Sequence, residues 1–180
     1  NGRAVRFAES LVRCMGRVST GVRSMLLDAG DDELVGMVIV NDTEKETIMV
    51  VSENGYGKRS QIEDYRKTNR GAKGVKTLSI TEKTGRLVAI KIVTDENDLM
   101  IINKSGILIR LKVADVRIMG RATQGVRLIN LTKKNDVIAS VCKVMSSELE
   151  EMVEEQSRKD FAQSNEAITA DNTGIIDDDT

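Results

Sequence analysis

The chain has 180 residues, of which 40% are hydrophobic and 31% charged, and a formal net charge of −1; that is enough apolar content for one sizeable core. Histidine is absent, which excludes Ser-His and Cys-His nucleophile pairs and imidazole metal sites. No window approaches the ~18 uninterrupted apolar residues of a membrane span.

The small net charge conceals a division. Residues 1–145 carry 25 basic and 17 acidic side chains, a balance of +8, while residues 146–180 carry 2 and 11, a balance of −9. A basic body with an acidic tail points to a polyanionic partner and a tail that competes with it. Cys14 and Cys142 lack CxxC spacing and fit a reducing, cytosolic setting, with buried apolar thiols as the expectation.

In chain order, a glycine-and-arginine loop recurs three times. It reads "MGRVSTGVR" at Met15–Arg23, "TNRGAKGVK" at Thr68–Lys76 and "MGRATQGVR" at Met119–Arg127. The offsets are 53 and 51 residues, and the same register pairs the turn glycines Gly2, Gly55 and Gly106. Each unit reads as a short strand after the turn, a long loop, and a strand opening "GVR" or "GVK". An apolar strand follows, "LVGMVIV" (Leu34–Val40), "LVAIKIV" (Leu87–Val93) or "VIASVCKV" (Val137–Val144). A fourth strand, "TIMVVS" (Thr47–Ser52) or "DLMIIN" (Asp98–Asn103), leads into the next turn.

Val and Ile in runs of five to eight, bounded by Gly, Asn and Asp, are strand chemistry. Almost every position of Leu34–Val40 is apolar, so burial on both faces of a sheet is expected. Four strands per ~50 residues is a propeller-blade period, and a solenoid is the rival. The predicted fold is all-β: a partial β-propeller or β-pinwheel of about three four-stranded blades, in units 1–53, 54–104 and 105–145. Too few blades to close a ring leads us to expect a polypeptide that continues N-terminal to Asn1. After Val144 the pattern stops. Ser147-x-x-Glu150 is a capping-box arrangement that predicts a short helix, and the acidic segment beyond Ala162 reads as disordered.

The basic residues keep the register. Arg6, Arg59 and Arg110 align, as do Arg13, Arg66 and Arg117; Arg17, Arg70 and Arg121; and Arg23, Lys76 and Arg127. Acidic residues do not, since Glu9 aligns with Ile62 and Val113. A structural reading, in which an arginine bridges to a neighbouring blade's carboxylate, suits Arg6/Arg59/Arg110 best because that column is expected to end a strand. The loop columns suit phosphate contact. Gly16, Gly21, Gly71, Gly74, Gly120 and Gly125 would let backbone approach an anion. The candidate contacts for double-stranded DNA are Arg13, Arg17, Arg23, Lys58, Arg59, Arg66, Lys67, Arg70, Lys73, Lys76, Arg110, Arg117, Arg121 and Arg127. Phosphate contacts of this kind position a duplex without reading its sequence. Four aromatic residues, Phe7, Tyr56, Tyr65 and Phe161, are too few for a single-strand stacking platform.

Two other segments invite comparison with known sites. Gly71–Thr77 departs from a P-loop where Val75 stands in place of glycine. Asp28–Glu33 lacks the EF-hand pattern and reads as an acidic turn. No constellation for bond chemistry is predicted, and no metal or cofactor site.

The repeats, "NGYGKRS" (Asn54–Ser60), "MGRATQGV" (Met119–Val126) and the acidic tail together resemble the C-terminal domain of the DNA gyrase A protein. The resemblance covers Asn1 to about Val144. It implies a six-bladed β-pinwheel that wraps DNA, of which these would be the last blades. It also implies a type IIA topoisomerase introducing negative supercoils, with ATP and Mg on partner gyrase B proteins in an A2B2 heterotetramer. The setting implied is the bacterial cytoplasm, at the nucleoid, and the catalytic tyrosine belongs to another region of gyrase A. The family's "QRRGGKG" box is matched by Thr68–Gly74 only at Arg70, Gly71, Lys73 and Gly74, so this segment reads as a degenerate internal copy. The C-terminal domain of the topoisomerase IV A protein is a same-class alternative, and a protein-interaction propeller is one of a different class.

Overall fold

Strands begin where the period places them, but the blades they build cross the sequence units. The computed structural model describes residues 1–28, 30–131 and 136–146, with Glu151 and Glu155 beyond them. Nine strands run in chain order: β1 (Arg3–Ala4), β2 (Thr47–Ser52), β3 (Tyr56–Gln61), β4 (Val75–Lys76), β5 (Leu87–Val93), β6 (Asn97–Asn103), β7 (Leu108–Lys112), β8 (Val126–Arg127) and β9 (Ile138–Met145). A 3-10 turn follows β1, β3 and β7 at Glu9–Leu11, Ile62–Asp64 and Val113–Asp115.

β2 and β3 form a hairpin through Asn54–Gly55, where Gly55 takes φ +80°, a conformation glycine adopts without steric cost. The sheet order is β5-β2-β3-β8, so this blade joins residues 47–61 to β5 and to a two-residue strand some seventy positions downstream. A three-stranded sheet has the order β7-β6-β9, and β1 pairs with β4 alone. In both completed junctions a "GVK" or "GVR" strand crosses from one unit to the strand after the glycine turn of the preceding unit: β4 onto β1 and β8 onto β3. The cuts expected at 53/54 and 104/105 therefore fall inside hairpins.

β2 is central in its sheet and buried at all six positions. Alternation sends its side chains to opposite faces. Met49 and Val51 join a core with Leu99, Ile101, Val113, Ile138 and Val141, while Ile48 and Val50 join another with Ile62, Tyr65, Leu78 and Ile92. Each core lies between the sheets of neighbouring units, so blade-to-blade packing provides the hydrophobic burial.

Leu34–Val40 departs from expectation. It forms no strand, and Leu34, Met37 and Ile39 are 55%, 81% and 68% exposed. Its equivalents β5 and β9 pair with β2 and β6, and among the described residues no strand pairs with Leu34–Val40. Without a ladder to accept its backbone hydrogen bonds, an apolar run does not become a strand. Only Val38 and Val40 keep core contact, against the second cluster.

The cysteines also correct the expectation of burial. Cys14 and Cys142 are both free and exposed. On β9, Ile138 and Val141 face the core and Cys142 does not.

The chain divides into two units, Asn1–Val144 and Met145–Thr180. In the second, Glu151 and Glu155 are helical, whereas the capping box and the segment expected to be disordered lie outside the described residues. Among the described residues no helix is long and apolar enough to cross a membrane.

Candidate nucleic-acid interface

In the column Arg6/Arg59/Arg110, Arg6 lies two residues beyond β1 while Arg59 and Arg110 lie inside β3 and β7, which corrects the expected strand end, and the first two members reach inward to the next unit. Arg6 Nη1 donates to the carbonyls of Ile62 (3.0 Å) and Tyr65 (3.2 Å), spanning the 3-10 turn of the second unit. One repeat later, Arg59 Nη1 donates to the equivalent carbonyl of Val113 at 3.1 Å. Arg59 is 3% exposed, donates from Nε to Thr47 Oγ1 at 3.1 Å, and pairs with Asp95 at 2.6 Å. Arg110 instead pairs with Asp98 at 2.6 Å. Each latch is doubled by backbone, as Thr68 N–H donates to Arg6 O and Met119 N–H to Arg59 O, both at 2.8 Å.

These latches hold the turns that present the next column. Ile62, opening the second turn, and Tyr65, following it, are 0% and 1% exposed; Val113 and Val116 take the same places at the third, 0% and 4% exposed. The residue after each anchored pair, Arg66 or Arg117, is exposed. The parallel bridges Arg6↔Lys67 and Arg59↔Ile118 follow at once. Arg66 and Arg117 are thus pinned on both sides in sequence and face water between the pins. Arg13 holds the same place after Glu9–Leu11, where Leu11 and Val12 stay about 40% exposed.

In the column Arg17/Arg70/Arg121, the last two members reach back to the preceding unit. Arg70 Nη1 donates to Arg23 O at 3.2 Å and Nε to Leu11 O at 3.1 Å, while Arg121 Nη1 donates to Lys76 O at 3.0 Å. The Arg23 and Lys76 carbonyls belong to the fourth column, so Arg70 and Arg121 set the backbone from which Arg23 and Lys76 project. Arg127 is engaged differently: its Nη2 donates to Tyr56 Oη at 2.9 Å and its guanidinium lies 5.5 Å from the ring centroid. The Lys83 ammonium also lies 5.5 Å from that ring. The Arg127 hydrogen bond holds the Tyr56 phenol below its ordinary pKa.

Two candidates are withdrawn as phosphate contacts. Arg59 is the buried latch. Lys58 is fully buried, donates to Gly120 O at 2.6 Å, and is pushed by burial down to about 8. Their adjacency to "NGYG" in a basic sequence hid that β3 is an inner strand buried through Ser60. The expected anion role of the loop glycines also fails at three positions. Gly71 N–H donates to Ser24 O, and a Cβ on Gly74 or Gly125 would strike the preceding unit's backbone, Ala4 O or Gly57 O. Gly74 and Gly125 admit chain against chain.

Lys73 is ion-paired to Asp28 at 2.8 Å, and the Lys73 hydrogen bond lowers the Asp28 pKa. Asp31 pairs with Arg86, so the acidic turn Asp28–Glu33 is spent on neighbouring cations. Arg13, Arg17, Arg23, Arg66, Lys67, Lys76 and Arg117 are all exposed. Among the described residues their side chains make no hydrogen bond or ion pair. Arg66–Arg70 borders an open cleft of about 450 Å³ lined by Ala8, Leu11, Lys67, Thr68 and Asn69. The second unit's cations thus flank a surface to which the first unit's loop contributes. Sequence reasoning singled out the Arg6/Arg59/Arg110 column for a structural bridge to a neighbouring unit's carboxylate, whereas Arg6 and Arg59 reach the next unit through backbone carbonyls.

A family model described as DNA gyrase C-terminal domain, beta-propeller matches residues 1–41, 46–94 and 97–142. The DNA gyrase A protein of one Staphylococcus aureus strain is 45% identical over 172 residues, covering 94% of this chain and 19% of that protein. Its counterpart in another strain is 42% identical over 181 residues, covering 98% and 20%. The chain therefore spans about a fifth of the curated relatives it matches. Among solved structures, the C-terminal domain of DNA topoisomerase IV superposes with TM-score 0.74 at 27% identity, covering 81% of this chain and 44% of that one. The DNA gyrase A C-terminal domain superposes with TM-score 0.69 at 28% identity, covering 80% and 48%. With the family model matching most of the chain and relatives 42–45% identical over nearly all of it, the chain belongs to the family of DNA gyrase C-terminal β-propeller domains.

Proposed function

We propose that this chain binds and bends duplex DNA without reading its sequence, using the cations that the inter-unit latches hold outward. The observation that carries the proposal is the column Arg13/Arg66/Arg117. One guanidinium per unit stands beyond a 3-10 turn, exposed and without a partner among the described residues. Arginine at such positions suits bidentate phosphate contact, and repetition along successive blades suits a duplex that follows them. Bending 20–30 base pairs by 40–90° costs on the order of 1–6 kcal/mol, which phosphate contacts and counterion release must exceed.

In the longer protein, this segment would manage DNA for a type IIA topoisomerase whose cleavage chemistry lies elsewhere and whose ATP and Mg sit on gyrase B. The assembly would be an A2B2 heterotetramer in the bacterial cytoplasm. Topoisomerase IV is the second reading, favoured by its structural superposition; the 42–45% relatives favour gyrase.

The test is duplex binding against salt. Were each of the seven open cations to neutralise one phosphate, log K against log salt would have a slope of about −6. Replacing Arg66 and Arg117 with Ala should weaken binding to all sequences alike and flatten that slope by about 2. A loss confined to one base sequence, or an unchanged slope, would remove the proposal.

A further inference from the structure

Tyr56, where β8 crosses onto β3, gathers two cations on one ring. The Arg127 guanidinium and the Lys83 ammonium each lie 5.5 Å from its centroid, within cation–π range. Arg127 donates to the phenol oxygen from Nη2 at 2.9 Å and from Nε at 3.3 Å. One edge of the guanidinium is thereby occupied, and the N–H groups of Nη1 make no hydrogen bond among the described residues. The phenol registers both cations: the Arg127 hydrogen bond leads, the charges of Arg127 and Lys83 add to it, and together they outweigh burial and hold the pKa below its ordinary value.

Backbone contacts fix all three residues. Tyr56 and Arg127 are partners in the β3–β8 ladder. Lys83 sits in the turn Thr81–Gly85, which is closed by the Gly85 N–H on Thr81 O at 3.0 Å and by buried Thr84, whose Oγ1 accepts the Thr81 N–H at 2.9 Å. Asn54 clamps that turn to the β2–β3 hairpin. Its Nδ2 donates to Glu82 O at 3.0 Å and Lys83 O at 3.2 Å, and its N–H to Thr84 O at 3.0 Å. Lys83 and Arg127 are exposed, and neither has a carboxylate partner among the described residues. Two like charges held on one ring repel each other, and an anion that meets both relieves the repulsion. The period hides this cluster, because Arg3 and Ile107 stand in the place of Tyr56, and Gly30 and Lys134 in the place of Lys83.

We propose that Lys83 and Arg127, gathered on Tyr56, bind one backbone phosphate of duplex DNA. The inference rests on the duplex binding proposed above and adds to the second unit a contact that the register-locked columns do not contain. A phosphodiester has two anionic oxygens, one for Arg127 Nη1 and one for Lys83 Nζ, a planar fork beside a point charge. Tyr56 is a positioning residue: it fixes the orientation of the guanidinium through the phenol oxygen and leaves the phosphate to the cations.

Duplex binding by the 180-residue chain, measured against salt, tests this. Lys83→Gln should flatten the slope of log K against log salt by about 1. Tyr56→Phe keeps the ring and every charge, so it should retain the slope and weaken binding about fivefold, the worth of one positioning hydrogen bond. A purely structural Tyr56 would lower the urea midpoint and leave the affinity of the folded chain unchanged. Lys45→Gln is the charge-matched control, at an exposed lysine before β2, on the far side of that strand from the hairpin, and should do neither. NMR of tyrosine labelled at Cζ gives two signals, since the chain has two tyrosines. Duplex should move the Tyr56 signal and leave that of buried Tyr65 in place, and Lys83→Gln should reduce the movement. If Lys83→Gln and Tyr56→Phe bind as Lys45→Gln does, or bound duplex leaves the Tyr56 signal unmoved, the phosphate site is overturned while the proposed function stands. A Tyr56 signal that follows inorganic phosphate but not duplex would also overturn the assignment to DNA. A parent chain without salt-dependent duplex binding would overturn both.

Discussion

Replacing Arg59 with Ala separates the latch column from the contact column. The guanidinium makes three contacts: Thr47 Oγ1 and Val113 O at 3.1 Å and Asp95 at 2.6 Å. Asp95 is 74% exposed, so it rehydrates when the partner goes, and the ion pair itself contributes only about 0–1 kcal/mol. No buried group is orphaned, because the Thr47 hydroxyl keeps its bond to Val93 O and Val113 O keeps the N–H of Val116. What is lost is two hydrogen bonds from a charged donor, about 1–2 kcal/mol each, plus the cavity left by a nearly fully buried side chain. The sum is about 3–5 kcal/mol. With a urea dependence of about 2 kcal/mol/M, the unfolding midpoint should fall by about 2 M. In the absence of urea the folded variant should bind duplex DNA within about twofold of the parent, whereas Arg66→Ala should show the reverse pattern. Tenfold weaker DNA binding by Arg59→Ala at an unchanged midpoint would refute the assignment of Arg59 to the interior.

Three other outcomes follow from the packing and the charges. Gly125→Ala places a Cβ 2.5 Å from Gly57 O at φ +80° and should cost about 2 kcal/mol or more in urea unfolding, against about 0.5 kcal/mol or less for Gly120→Ala, which meets nothing within 4 Å. Lys58 is pushed by burial from 10.5 to about 8, so between those values the unfolded chain binds the proton that the native chain has released. Stability should therefore rise with pH across that window, by on the order of 3 kcal/mol, and Lys58→Met should lack that component of the rise in parallel unfolding series. The two tyrosines should ionise in separate steps in a phenolate absorbance titration. Tyr56 is lowered by its Arg127 hydrogen bond and Tyr65 is raised by burial; Arg127→Gln should move only the earlier step, and upward.

The sequence by itself determined the period, the strand chemistry and the existence of register-locked cations, because these are local or one-dimensional. Turn glycines, β-branched runs and a 51–53-residue offset need no knowledge of neighbours. The interior use of "GYGKRS", which hides Lys58 and Arg59, was not legible, since a charged residue on a hairpin reads as solvated until a second unit covers it. Leu34–Val40 shows the converse: seven residues of strand composition remain unpaired because a strand is completed by its ladder partner. The roles of Gly74 and Gly125 likewise became visible only when strands from different units met. Propensity and spacing act within a segment, while burial, latching and free edges are properties of pairs. In this chain the pairs join units some fifty residues apart, so only the tertiary structure decided which arginines bind the protein and which face water.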